Sequence, residues 1–124
     1  MNDTILLVED HEANRSVLKR RLERRGYAVA EAADGAEAIA KFCAAPPDLV
    51  IMDLSMPNMS GLEALQHIRA SGKGVDVPVI ALTAHAMDEM REKCLASGFA
   101  DFLTKPLNFD ALLDCIVSLK GAAR

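Results

Sequence analysis

The chain has 124 residues, 51% of them apolar and 26% charged, enough to build the core of one domain. Its net charge of −4 argues against a nucleic-acid surface, and the cluster Lys19, Arg20, Arg21, Arg24 and Arg25 reads as a solvated helix face. Cys43, Cys94 and Cys115 lie too far apart for a disulfide framework or thiolate metal site, which fits a reducing cytoplasm; no apolar run could span a bilayer, and the N-terminus lacks a signal-type pattern.

Thr4–Val8 is a short, continuous apolar run of the kind that suits a strand buried on both faces. Ala13, Val17, Leu18 and Leu22 then recur at helical spacing until Gly26, a helix stop, and Tyr27–Glu31 offers a weaker strand. Asp34 with Glu37 reads as a capping box opening a short helix with Ile39 and Cys43 inward, ended by "APPD". Asp48–Met52 is a second buried strand pattern. Ser60 with Glu63 repeats the capping box, and Leu62, Leu65 and Ile68 give that helix an apolar face before the Gly72–Gly74 loop.

Val77–Thr83 is a further buried strand. Met87, Met90, Cys94 and Leu95 share one helical face closed by Gly98, "DFLT" at Asp101–Thr104 makes a fifth strand, and Phe109, Leu112, Leu113 and Ile116 mark a last helix. Strands alternating with helices predict a doubly wound, parallel α/β sandwich of three layers, with right-handed crossovers.

In such a sheet the ligand crevice lies beyond the carboxyl ends of the strands. Glu9 and Asp10 follow the first strand, Asp53 ends the third, Thr83 ends the fourth and Lys105 lies just past the fifth. Neighbouring carboxylates repel one another unless a hard divalent cation neutralises them, so the acidic group reads as a Mg²⁺ site. A lysine ammonium and a threonine hydroxyl opposite that ion suit a group with several anionic oxygens, such as a transferred phosphoryl, with Asp53 as nucleophile.

These residues resemble the receiver domains of two-component response regulators, over essentially the whole chain. The resemblance rests on the pair Glu9–Asp10, "MDLSMP" with Asp53 and Gly61 beyond it, "ALTA" with Thr83, and "LTKP" with Lys105–Pro106. It implies a flavodoxin-like strand order 2-1-3-4-5, and phosphoryl transfer from a histidine kinase or histidine phosphotransfer protein to Asp53. It further implies Mg²⁺ held by Asp10, Asp53 and the carbonyl of Ser55, with Glu9 assisting through water. Thr83 and Lys105 would contact the phosphoryl oxygens, Phe102 would be the aromatic switch residue, and the Lys105–Pro106 bond would be cis.

Ser55, Met56, Ala84, His85 and Pro106 would flank the site, with Ser55 and His85 at positions that tune dephosphorylation. Phe102 lacks the hydroxyl of the tyrosine often found there. "LTAHAM" at Leu82–Met87 also resembles the receivers of hybrid kinases and phosphorelays. Phosphorylation would draw Thr83 inward, vacate space for Phe102 and alter the face from about Met87 to Leu119, where Asp88, Arg91 and Glu92 are candidate partner contacts. The implied protein is a phospho-acceptor that assists its own phosphorylation and dephosphorylation rather than a conventional enzyme. It would be a monomer or weak phosphorylation-dependent dimer, binding neither nucleic acid nor membrane. The chain reads as a single receiver domain, residues 1–124, with no output domain, acting on an unidentified downstream protein through its own surface; it could be a stand-alone regulator or part of a hybrid kinase.

Other readings account for fewer residues. Helix capping could explain Glu9 or Asp10 singly, but not Thr83 and Lys105. A phosphatase of the haloacid dehalogenase type would carry a second aspartate where Ser55 stands and a cap insertion over its substrate. A degenerate receiver that only binds a partner has no need of all five polar residues, and the carboxylates of "VEDHEAN" would repel the phosphate of a flavin nucleotide. His11, His67 and His85 have no metal-ligand spacing, Phe102 alone would read as packing, and Met56 and Met59 read as packing or loop contacts.

Overall fold

The computed structural model describes residues 3–54, 56, 59–74, 76–84 and 88–122, without the side chains of Asp88 and residues 120–122. Strands β1 (Thr4–Val8), β2 (Ala28–Ala32), β3 (Leu49–Asp53), β4 (Val79–Thr83) and β5 (Asp101–Thr104) alternate with helices α1 (Glu12–Glu23), α2 (Gly35–Ala44), α3 (Gly61–Ala70), α4 (Asp88–Ala96) and α5 (Phe109–Ala122). All pairings are parallel, in the order β2-β1-β3-β4-β5, so the fold is the doubly wound, flavodoxin-like α/β arrangement.

Alternation of side chains along each strand divides the core in two. Leu6, Val8, Val50, Met52, Val79 and Ala81 pack on one face of the sheet against Ala38 and Phe42 of α2, Leu65 and Ile68 of α3, and Cys94 of α4. Ile5, Leu7, Leu49, Ile51, Ile80 and Leu82 pack on the other against Leu22 of α1 and Leu112, Cys115 and Ile116 of α5. Every residue of β3 and β4 is buried, as the continuous apolar runs require of strands covered on both faces.

Both predicted N-caps form. Asp34 Oδ1 accepts from the Glu37 amide at 2.8 Å while Glu37 Oε1 accepts from the Ala33 amide at 2.6 Å; Ser60 Oγ accepts from the Glu63 amide at 3.2 Å. Gly26 closes the turn after α1 at φ 92° and Gly98 the turn after α4 at φ 108°, in the left-handed region that glycine enters without steric cost.

Several apolar stripes are rotated relative to the sequence reading. In α2, Phe42 and Ala38 enter the core while Ile39 is partly buried and Cys43 only half-buried. In α1, Leu22 is fully buried, but Val17 is 51% exposed and lines an open cleft. Leu95 of α4 is 42% exposed, leaving Cys94, Met90 and the following Phe99 to anchor that segment; Met87 lies outside the described residues. β4 begins at Val79 rather than Val77: the Val77 carbonyl accepts from Arg69 Nη2 at 2.8 Å, and Pro78 has no amide hydrogen to give a ladder.

Candidate active site

The carboxyl ends of the strands bring the polar residues together. Asp53 is the last residue of β3 and Thr83 the last of β4, exposed by 2% and 1%, in a sheet whose other buried positions are apolar. Glu9 follows β1 and is also buried, its amide donating to the Ala32 carbonyl of β2 at 3.0 Å. Half-buried Asp10 comes next. Glu9, Asp10 and Asp53 each offer a carboxylate oxygen within 4.8 Å of the others.

Lys105 spans this group from just past β5. Its amide donates to the Thr83 carbonyl at 2.7 Å, and its Nζ reaches Asp53 Oδ2 at 2.8 Å and Glu9 Oε2 at 3.3 Å. The Lys105–Pro106 bond is cis. On the β3 side, the Leu54 amide donates to the Leu82 carbonyl at 2.9 Å, and the Gly61 amide to the Leu54 carbonyl at 3.2 Å. A Cβ at Gly61 would stand 2.9 Å from the Asp53 carbonyl oxygen, so only glycine lets α3 begin this close to Asp53.

The electrostatics are those of crowded acids. Burial pushes the Glu9 carboxyl above its ordinary value, and the hydrogen bond and charge of Asp53 push the same way; Lys105 opposes them without prevailing. For Lys105, burial pulls the ammonium's pKa down, but Asp53 and Glu9 outweigh it and hold the group above its ordinary value. Glu9 Oε1 is buried with no hydrogen-bond partner among the described residues. A buried, unsatisfied carboxylate oxygen beside Asp10 and Asp53 is what an oxygen-seeking divalent cation, bound directly or through water, would satisfy, so the donor set fits Mg²⁺.

Of the remaining sequence-derived candidates, Phe102 is buried on β5, its amide donating to Asp101 Oδ1 at 2.7 Å. Met56 is buried in the core, Met59 packs against it, Ala84 and Pro106 are exposed, and Ser55 and His85 lie outside the described residues. His11 and His67 are exposed, and neither belongs to the three-carboxylate group found among the described residues. A cleft of about 420 Å³, unforeseen in the sequence, opens beside Glu9 and Lys105 between Val17, Leu18 and Arg21 of α1 and Leu107. Arg15 also reaches this edge: its Nη1 donates to the Glu9 carbonyl at 2.7 Å, a side-chain contact to a backbone atom that no sequence motif announces.

Residues 5–117 match the family model of the response regulator receiver domain. The chain belongs to that family. It is a receiver domain of two-component signalling, related to the receiver domains of histidine kinases. It is 40% identical over 108 residues to the sensor histidine kinase RcsC of Salmonella typhi, covering 87% of this chain and 11% of that protein. It is 42% identical over 109 residues to the sensor protein EvgS of Escherichia coli K12, covering 88% of this chain and 9% of that protein. The receiver thus spans about a tenth of the length of these curated relatives. Among solved structures, the receiver domain of a sensor histidine kinase from Pseudomonas aeruginosa PAO1 superposes with a TM-score of 0.89 at 37% identity, over 98% of this chain and 99% of that one. That structure holds a magnesium ion coordinated in its active site cleft.

Proposed function

We propose that this receiver takes a phosphoryl group onto Asp53 from a phosphohistidine on a histidine kinase or histidine phosphotransfer protein. An Asp53 carboxylate oxygen forms the new O–P bond as the N–P bond breaks, and the electron pair leaves with the imidazole. Lys105 holds the carboxylate in place beforehand and exchanges part of that contact for the phosphoryl oxygens, with the Thr83 hydroxyl as a second donor. Asp10, Asp53 and the Ser55 carbonyl would hold Mg²⁺, with Glu9 helping through water. When bound, the ion supplies positive charge against the transferring oxygens.

The new aspartyl phosphate adds about −1.5 to −2 charges at neutral pH, and drawing Thr83 toward it opens space for Phe102 to turn. The face formed by α4, β5 and α5 then changes for a downstream protein. The receiver works in the cytoplasm, as a monomer or weak phosphorylation-dependent dimer; none of the described helices is long and apolar enough to cross a membrane.

The observation that carries this reading is the Lys105 bridge to Asp53 and Glu9, a cation poised over a buried acceptor at the carboxyl edge of the sheet. Intact-mass analysis after incubation with acetyl phosphate tests it: one phosphoryl adduct is expected with Mg²⁺ and none with EDTA. A folded protein that gains no adduct from acetyl phosphate or from a phosphohistidine donor would leave only partner binding.

A further inference from the structure

Glu9 and Asp10 sit on a short connection between β1 and α1, and their carboxylates can act together with Asp53 only if that connection is fixed. Its backbone is held on both sides of Glu9. The Glu9 amide donates to the Ala32 carbonyl at 3.0 Å, and the Glu9 carbonyl accepts from Arg15 Nη1 at 2.7 Å. Arg15 is itself held from β2: its Nε lies 3.3 Å from Glu31 Oε1, and its side chain is only 15% exposed. Lys19 approaches the other Glu31 oxygen at 3.5 Å, and Lys41 Nζ donates to the Glu31 carbonyl. One guanidinium thus ties the first turn of α1, the edge strand β2 and the acidic connection together. Its planar fork is suited to this, since it can serve a carboxylate and a carbonyl at once, whereas a lysine ammonium is a single flexible point.

We propose that Arg15, held by Glu31, is a positioning residue for the divalent cation: it fixes the Glu9 carbonyl and so aims the Glu9 and Asp10 carboxylates at the site. This rests on the reading of the site as a Mg²⁺ site. It also makes a prediction opposite in sign to simple electrostatics. A positive charge near an acidic pocket opposes cation binding, so if Arg15 acted only through its charge, removing it would tighten Mg²⁺ binding. As a positioning residue, its removal weakens binding, by about tenfold, the lower end of what loss of an outer-shell partner costs.

Isothermal titration calorimetry with Mg²⁺ alone, paired with urea unfolding in EDTA, tests the proposal on the unmodified chain, Arg15→Gln, Arg15→Lys and Arg15→Gln/Glu31→Gln. The expected result is weaker Mg²⁺ binding in Arg15→Gln and also in Arg15→Lys, which keeps the charge but not the fork. The double variant should bind no more weakly than Arg15→Gln alone, because Glu31 acts through Arg15. Unchanged or tighter binding in a folded Arg15→Gln overturns the proposal. If Arg15→Gln does not fold, Arg15→Lys decides alone, and binding equal to that of the unmodified chain overturns it. Failure of the unmodified chain to bind Mg²⁺ overturns the site reading and this inference with it.

Discussion

Lys105 Nζ lies 2.8 Å from Asp53 Oδ2, reaching from beyond the end of β5 across β4 to the end of β3. The two residues are 52 positions apart in sequence, and only the parallel order of the sheet brings them to one edge. The lysine neutralises part of a buried acidic cluster, and in the proposed reaction it would also receive the phosphoryl oxygens.

Lys105→Met should separate these roles. Phosphorylation by acetyl phosphate, followed by intact mass, is expected to slow about 10²-fold, as for loss of one donor to a developing anionic oxygen. Without Mg²⁺ the variant should lose about 1–2 kcal/mol in urea unfolding, less than a fully buried pair would because Lys105 is 31% exposed. Mg²⁺ should restore most of that loss. Equal phosphorylation rates would remove Lys105 from the chemistry.

The raised pKa of Glu9 gives a pH dependence with a definite sign. A group raised in the folded state contributes stability that is fully present below its ordinary value of 4.5 and is lost as pH rises through the folded value. In EDTA at pH 8, Glu9→Gln should therefore melt higher than the unmodified chain. The gap should shrink toward pH 4.5 and in saturating Mg²⁺, and a Glu9→Gln melting curve below the unmodified one at pH 8 would show that the Lys105 contact dominates.

Cys115 Sγ donates to Asp101 Oδ2 at 3.0 Å, and burial, then that hydrogen bond and the aspartate charge, push the thiol up to about 12. It stays a neutral thiol at physiological pH, so iodoacetamide at pH 8 should modify half-buried Cys43 long before Cys115, as mapped by peptide mass spectrometry. The stabilising effect of keeping the proton is complete below about pH 9 and is lost as pH rises through about 12, so alkaline destabilisation should start above pH 9 and be smaller in Cys115→Ala.

Gly61→Ala would place its Cβ 2.8 Å from Leu54 Cδ2 and 2.9 Å from the Asp53 carbonyl oxygen. Because one of those atoms is backbone, the start of α3 must move away from Asp53. The expected cost is about 1–3 kcal/mol of stability, as for other overpacked sites, together with a phosphorylation rate reduced more than about tenfold. A stable variant phosphorylated at the normal rate would show that the β3–α3 connection tolerates the shift.

The parallel sheet was legible because β1, β3 and β4 carry continuous apolar runs with a polar residue at or just past the carboxyl end, and the capping patterns at Asp34 and Ser60 marked two helix starts. Glu9, Asp10, Asp53, Thr83 and Lys105 could be grouped from strand ends alone, since the topology dictates where those ends meet. Less legible were the helix faces. Phe42 rather than Cys43 fills the core under α2, and Val17 stays exposed, because an apolar stripe wider than the buried face does not say which of its members meets the sheet. Arg15 was hidden for a different reason: its partners, the Glu9 carbonyl and the Glu31 carboxylate, come from two other elements, one of them a backbone atom that no residue pattern reveals.

The central claim is that Asp53 carries the phosphoryl group, and borohydride reduction tests it most directly. An acyl phosphate is reduced to the alcohol, so after acetyl phosphate and Mg²⁺ the peptide containing position 53 should carry homoserine there, and the product should vanish with EDTA. Reduction at Glu9 or Asp10 instead, or none in a chain that has gained a phosphoryl adduct, would contradict Asp53 as the acceptor.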